Sequence, residues 1–229
     1  MADYDGDGRT DLLSGSTCCQ DPWCFYLFRR KADGTFGPRE TVVLDFPRTE
    51  FDGFEFSVNG LRSRVAVADW NGDGRPDLLV TGGPPGVAFG PLGAGKVTVK
   101  RLWPKATRDE LNPRAQYLST NPVLADWDGD GLLDLVGGSR LDTAGKPRLT
   151  EMPGVYWWRN VGTKTEPMLG PPRLLIRESN SAYATGLSVA DWNADGKPDL
   201  IVAREERNGR DKNWSTRHHK VWVHLRRTK

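Results

Sequence analysis

The chain has 229 residues, of which 32 are Lys or Arg and 30 are Asp or Glu, giving a formal net charge of +2. That length allows one sizeable core, and no linker divides it. No stretch approaches the run of about 20 apolar residues that a membrane-spanning helix needs. The 26 Gly and 16 Pro predict many turns, and the modest 37% hydrophobic fraction fits short strands rather than long helices.

Taken in chain order, Met1 runs straight into an acidic loop, with no visible signal peptide. A fragment start would explain this, and it does not argue for a cytosolic home. The first loop places Asp3, Asp5, Asp7 and Asp11 at its positions 1, 3, 5 and 9. Apolar residues follow at Leu12 and Leu13, and Cys24 to Arg29 and Thr41 to Leu44 read as two further strands. Val65 to Ala68 leads into the second loop, with Asp69, Asn71, Asp73 and Asp77, and Leu78 to Val80 leaves it. Lys96 to Leu102 reads as one strand, and the stretch before Tyr117 is ambiguous. Val123 to Ala125 precedes the third loop, with Asp126, Asp128, Asp130 and Asp134. Leu133 to Val136, Val155 to Arg159 and Arg173 to Ile176 then complete four strands. Val189-Ala190 leads into the fourth loop, with Asp191, Asn193, Asp195 and Asp199, followed by Leu200 to Val202 and a last strand from Val221 to Leu225.

All sixteen of these loop positions carry Asp or Asn. Calcium is a hard cation that takes six to eight oxygens at roughly 2.3–2.6 Å, and alternate side chains of a short loop converge on one point. The backbone carbonyl of position 7 (Arg9, Arg75, Leu132, Lys197) adds an oxygen whatever its side chain. Position 6 is glycine throughout (Gly8, Gly74, Gly131, Gly196), which suits a turn at positive φ. Position 4 is Gly6, Gly72 and Gly129 but Ala194 in the last copy, which predicts that position 4 needs no left-handed backbone. One Asp-Gly segment alone would read as an ordinary turn; four copies point to about four Ca²⁺. Mg²⁺ fits less well, because it demands strict octahedral geometry and keeps its waters. An EF-hand is excluded. Position 12, its bidentate glutamate, is Ser14, Val80, Gly137 or Val202 here, and strands rather than helices flank the loop.

The first aspartates of successive loops lie 66, 57 and 65 residues apart. A period near sixty with strands on both sides predicts an all-β fold with one four-stranded blade per repeat. In these loops and in the turn from Trp158 through Asn160 to Gly162, the chain resembles the FG-GAP/VCBS repeat family, whose best-known members are the β-propellers of integrin α-subunits. Dockerins and thrombospondin type 3 repeats share acidic loops but not this spacing. The resemblance covers nearly the whole chain. It implies a β-propeller-type array of about four blades, with repeats at approximately 1–60, 61–118, 119–182 and 183–229. It also implies that the loop joining the first two strands of each blade binds Ca²⁺ through the residues named above. The family's propellers commonly have seven blades. The first repeat lacks most of its innermost strand and the last lacks a fourth, so the chain reads as a segment of a longer array. A closed four-bladed ring and a ring completed by a second copy are the alternatives.

The ligand positions hold 14 of the 30 acidic residues, so the rest of the chain carries 32 basic residues against 16 acidic. Loaded with calcium it would be clearly cationic and would suit an anionic polysaccharide or cell-surface glycan; nucleic acid is a poorer fit. The densest basic segment, Arg204 to Lys229, includes His218, His219 and His224 without zinc spacing. Cys18, Cys19 and Cys24 are an odd number in one turn; Cys24 would bridge Cys18 or Cys19 in an oxidising compartment. Of nine Trp, three occupy loop position 2 (Trp70, Trp127, Trp192), with Tyr4 in that place in the first copy; these rings are expected to pack against a neighbouring blade. Trp157 and Trp158 are adjacent on a strand and so face opposite sides, which predicts one more exposed than the other. Trp23, Trp103 and Trp214 lie in irregular segments open to stacking on sugars.

These features predict a non-enzymatic, extracellular or secreted calcium-binding repeat module for adhesion or for binding carbohydrate or cell-surface polymers. No Ser/His/Asp arrangement, nucleophile elbow or zinc motif is present. The runner-up is a polysaccharide lyase or hydrolase on a calcium-stabilised propeller, because paired carboxylates for glycoside hydrolysis look like metal ligands in sequence. A purely structural segment of a larger protein is the third reading.

Overall fold

The apolar runs that flank each acidic loop are short and rich in Leu, Val and Ile, and they form strands. The computed structural model describes residues 1–15, 24–47, 64–81, 86–101, 122–139, 154–177, 182–207 and 217–226. Among these there are fifteen strands in four sheets and no helix. The protein is thus all-β, with blade-like sheets. The chain divides into two compact units, Met1–Gln116 with Val161–Met168, and Tyr117–Asn160 with Leu169–Lys229.

In the first unit, β1 (Leu12–Gly15), β2 (Cys24–Phe28) and β3 (Glu40–Asp45) form an antiparallel meander. The second sheet of this unit orders β4 (Arg64–Ala68), β5 (Asp77–Thr81), β6 (Gly86–Ala88) and β8 (Lys100–Arg101). The run predicted as one strand from Lys96 divides. Its first part, β7 (Lys96–Thr98), adds parallel to β3, while β8 pairs with β6. Val97 and Val99 are both buried in the core of this unit, and the Val99 N–H donates to the Asp45 carbonyl at 2.7 Å before the chain turns to the second sheet. The free edge of β3 is covered as a result. The strand β6 was not anticipated, because glycine and proline on either side hide so short an apolar run. Tyr4 of the first loop and Phe25, Leu27 and Val42 of the first sheet share one core with Leu78, Val80 and Ala88 of the second.

In the second unit, β9 (Val123–Ala125), β10 (Asp134–Ser139), β11 (Gly154–Asn160) and β12 (Leu169–Arg177) form a four-stranded meander. The other sheet orders β13 (Ala182–Ala190), β14 (Asp199–Arg207) and β15 (Arg217–His224). Val136, Val155 and Trp157 pack with Leu200 and Val202. Trp157, at 9%, is more exposed than Trp158, at 1%, as expected, but the difference is small and both are buried. Adjacent strand residues do face opposite sides, but both sides of β11 are covered, as the buried run Gly154 to Trp158 shows.

Each loop closes a hairpin of one construction. The alanine before loop position 1 pairs with the aspartate at position 9, as Ala68 with Asp77, Ala125 with Asp134 and Ala190 with Asp199. Ala2 and Asp11 make the same pair as an isolated bridge. Trp23, Trp103, Trp214, Cys18, Cys19 and the stretch before Tyr117 lie outside the described residues.

Candidate metal-binding loops

The four loops share one set of backbone-to-carboxylate hydrogen bonds. The position-1 carboxylate accepts from the N–H of positions 5 and 6. For Asp3 the donors are Asp7 (3.1 Å) and Gly8 (2.9 Å); for Asp69, Asp73 (3.0 Å) and Gly74 (2.9 Å). For Asp126 they are Asp130 (3.0 Å) and Gly131 (2.9 Å); for Asp191, Asp195 (3.0 Å) and Gly196 (2.8 Å). The position-5 carboxylate in turn accepts from the N–H of position 7, the residue predicted to lend its carbonyl: Arg9 and Arg75 at 2.8 Å, Leu132 at 2.9 Å and Lys197 at 3.0 Å. Side chains at positions 1 and 5 are thus folded inward by the backbone itself.

That geometry needs a left-handed backbone at two places. Position 6 has φ of 84°, 82°, 88° and 81° along the four copies. Position 4 is left-handed too, including Ala194 at φ 58°. The prediction from Ala194 is therefore corrected: the loop requires the αL region at position 4, and the fourth copy holds an alanine in it against its steric preference.

Position 9 does more than complete a ligand set. Asp11, Asp77, Asp134 and Asp199 are buried, at most 2% exposed. In each, Oδ2 accepts the N–H of loop position 2 (Tyr4, Trp70, Trp127, Trp192) at 2.9–3.1 Å. Oδ1 accepts an N–H from the chain at or just past the end of the blade's third strand: Arg30 (2.8 Å), Gly90 (2.9 Å), Asn160 (2.6 Å) and Arg226 (2.7 Å). Asp134 also accepts from Trp157 Nε1 at 2.9 Å. This aspartate therefore staples the loop to the sheet. Burial pushes the carboxyls of Asp77 and Asp134 up, and the donated N–H bonds oppose that rise.

Two carboxylate trios converge among the described residues. Asp3, Asp5 and Asp11 each offer an oxygen within 4.8 Å of the others, as do Asp126, Asp128 and Asp130. In the second and fourth loops the asparagine at position 3 takes the same place. Asn71 Oδ1 and Asn193 Oδ1 each accept the position-5 N–H at 3.1 Å, and their Nδ2 donate to Asp73 and Asp195 at 3.3 Å. The donor set, all oxygen and mostly anionic, fits a hard divalent cation. Asp128 Oδ1 supports the fit: it is enclosed yet accepts no hydrogen bond, and an enclosed carboxylate oxygen without a donor is suited to a cation.

Two arginines at the loops escaped the sequence reading. Arg29 NH1 contacts Asp5 Oδ2. Arg159 Nε and NH2 lie 2.7 and 2.8 Å from Asp128 Oδ2 and Asp130 Oδ2. The Leu132 N–H and the Arg159 guanidinium hold the Asp130 carboxyl below the usual range. Each arginine immediately precedes a stapling residue, Arg30 or Asn160, and aligning those two turns would have revealed them.

The position-2 rings are not alike. Tyr4 and Trp70 are buried, with Tyr4 Oη donating to the Gly93 carbonyl at 3.0 Å and its pKa pushed up to about 12 by burial. Trp127 lies under the Arg226 guanidinium, 5.4 Å from the ring centroid. Trp192 is 63% exposed. The expected packing thus fails at the fourth copy.

The sequence model of the FG-GAP-like repeat matches residues 3–80 and 126–202, and each of these two segments runs from one acidic loop through the next loop into the strand that leaves it. No curated protein matches the chain.

Proposed function

Because the chain belongs to the FG-GAP-like repeat family, we propose that it is a calcium-stabilised, extracellular repeat module whose ions serve structure rather than catalysis. The observation that carries this reading is the repeated loop scaffold: backbone N–H groups turn the carboxylates of positions 1 and 5 inward in all four copies, and in two of them three carboxylate oxygens converge within 4.8 Å. Ca²⁺ would be held by the side chains at positions 1, 3, 5 and 9 and by the carbonyls of Arg9, Arg75, Leu132 and Lys197. It would supply neutralisation of three or four clustered carboxylates at each loop.

The proposed compartment follows from affinity. Extracellular calcium modules work at roughly 10⁻⁴–10⁻³ M, concentrations that keep such sites full outside cells and empty in cytosol. Cys24 is disulfide-bonded, which agrees with an oxidising compartment. Among the described residues no helix is long and apolar enough to cross a membrane. Loaded with calcium the module would be cationic, and an acidic polysaccharide or cell-surface glycan is the proposed partner class.

Thermal unfolding with chelator and with 10 mM Ca²⁺, alongside calorimetric titration, tests the reading. Each site filled to between ten and a hundred times its Kd adds about 1.4–2.7 kcal/mol, so a rise of many degrees with about four ions per chain is expected. No shift, or a preference for Mg²⁺, would overturn it. A glycan array screened with the calcium-loaded protein then tests the partner class, and binding confined to neutral sugars would refute it.

A further inference from the structure

The loops fall into two kinds, and one side chain outside them follows the division. Position 3 is aspartate in the first and third loops, Asp5 and Asp128, and asparagine in the second and fourth, Asn71 and Asn193. The residue just before the stapling N–H is Arg29 in the first blade and Arg159 in the third; it is Phe89 in the second and Leu225 in the fourth. Arginine thus stands where the loop has a fourth carboxylate, and an apolar residue stands where it does not. Both arginines touch the position-3 carboxylate through Oδ2. In the third loop this leaves Asp128 Oδ1 enclosed and without a hydrogen bond. In the third loop the four ligand carboxylates and Arg159 sum to three negative charges, the number of carboxylates that each asparagine loop carries.

We propose that Arg29 and Arg159 are affinity-setting positioning residues for the metal sites of the all-aspartate loops. Each is a resident cation that holds the outer oxygen of the position-3 carboxylate, stabilises the loop when no ion is bound, and lowers its affinity toward that of the asparagine loops. The inference rests on the calcium reading above. The third blade is the cleaner case. In the first, Glu40 accepts from Arg29 Nε at 3.0 Å and Arg9 adds a second guanidinium on Asp7, so more than one charge is balanced there.

The test is a calcium titration of the full chain followed by NMR at the amides of Gly8, Gly74, Gly131 and Gly196, which report the four loops separately because each donates to its own position-1 aspartate. In Arg159→Leu, the residue that the fourth blade carries at this place, Gly131 is expected to titrate at about tenfold lower calcium, the scale of one unit charge beside a divalent ion in a solvated site. The melting temperature in chelator should fall by about 2–4 °C. A merely structural arginine would lower both stability and affinity. Asp128→Asn alone should weaken the Gly131 site about tenfold, and Asp128→Asn with Arg159→Leu should restore it, which keeps the test open if Arg159→Leu fails to fold without calcium. Unchanged or weaker calcium binding in Arg159→Leu, or no restoration in the double variant, overturns the proposal. If no glycine responds to calcium in the wild type, the calcium reading itself fails instead.

Discussion

The third and fourth loops, both in the second unit, show how scaffold and charge are separated in this repeat. Their backbone bonds are nearly superimposable in kind: Asp126 and Asp191 accept the same two N–H groups, and Asp134 and Asp199 staple the same two places. They differ in what lies on that scaffold. The third loop has a fourth carboxylate, a guanidinium on it, a glycine at position 4 and a ring under Arg226. The fourth has an asparagine, Leu225, an alanine and an exposed ring. The hairpin is therefore specified by positions 1, 5, 6 and 9, while charge and packing vary around it.

The staple is where the largest effect is expected. Asp134→Ala removes the acceptor of three donors, the N–H groups of Trp127 and Asn160 and the Trp157 indole. Leaving buried donors unpaired costs about 1–3 kcal/mol each, so a loss of roughly 3–5 kcal/mol is expected by chemical denaturation in chelator. Asp199→Ala strands two donors and should cost less. Equal losses would mean that the indole bond adds nothing. The position-2 rings come next. Trp127→Ala loses a part-buried ring and its contact with Arg226, about 2 kcal/mol. Trp192→Ala should stay within about 0.5 kcal/mol, because that ring is mostly in solvent; a larger loss would show that the exposed ring packs on something in solution.

Much of this was legible from residue order alone. The strands bordering each loop follow from short runs of Leu, Val and Ile, and the sixteen Asp and Asn positions mark the loops directly. What was hidden depended on contacts distant in sequence. Position 9 reads as a ligand, but its burial comes from N–H groups between 13 and 27 residues away, at Gly90, Arg30, Asn160 and Arg226. Arg29 and Arg159 look like ordinary strand-end charges until the hairpin brings them over the loops. The alanine at position 4 misled for a different reason. Residue identity reports what a backbone tolerates, and a favourable hydrogen-bond set can hold an L-residue at positive φ.

Ala194 therefore gives the next comparison. Ala194→Gly should stabilise the protein by about 1 kcal/mol, since relief from the αL conformation exceeds the chain entropy that glycine adds. Gly129→Ala, the reverse change in the third loop, should destabilise by about the same amount; nothing lies within 4 Å of the added Cβ, so only backbone strain is measured. Should Ala194→Gly be neutral or destabilising, the fourth loop does not share the backbone of the other three.

The smallest effect tests the charge difference and changes sign with conditions. Asn193→Asp gives the fourth loop the four carboxylates of the third but no arginine, because Leu225 stands where Arg159 would be. In chelator the added charge repels Asp191 and Asp195 across a solvated loop, and a loss of about 0.5 kcal/mol is expected, the scale of exposed charge pairs. In millimolar calcium the same carboxylate would draw the ion more tightly, so the variant should melt above the wild type. Leu225→Arg added to Asn193→Asp should bring both curves back toward the wild type. If Asn193→Asp melts lower in calcium as well as in chelator, the extra carboxylate is not serving a cation, and the difference between the two kinds of loop is one of local packing.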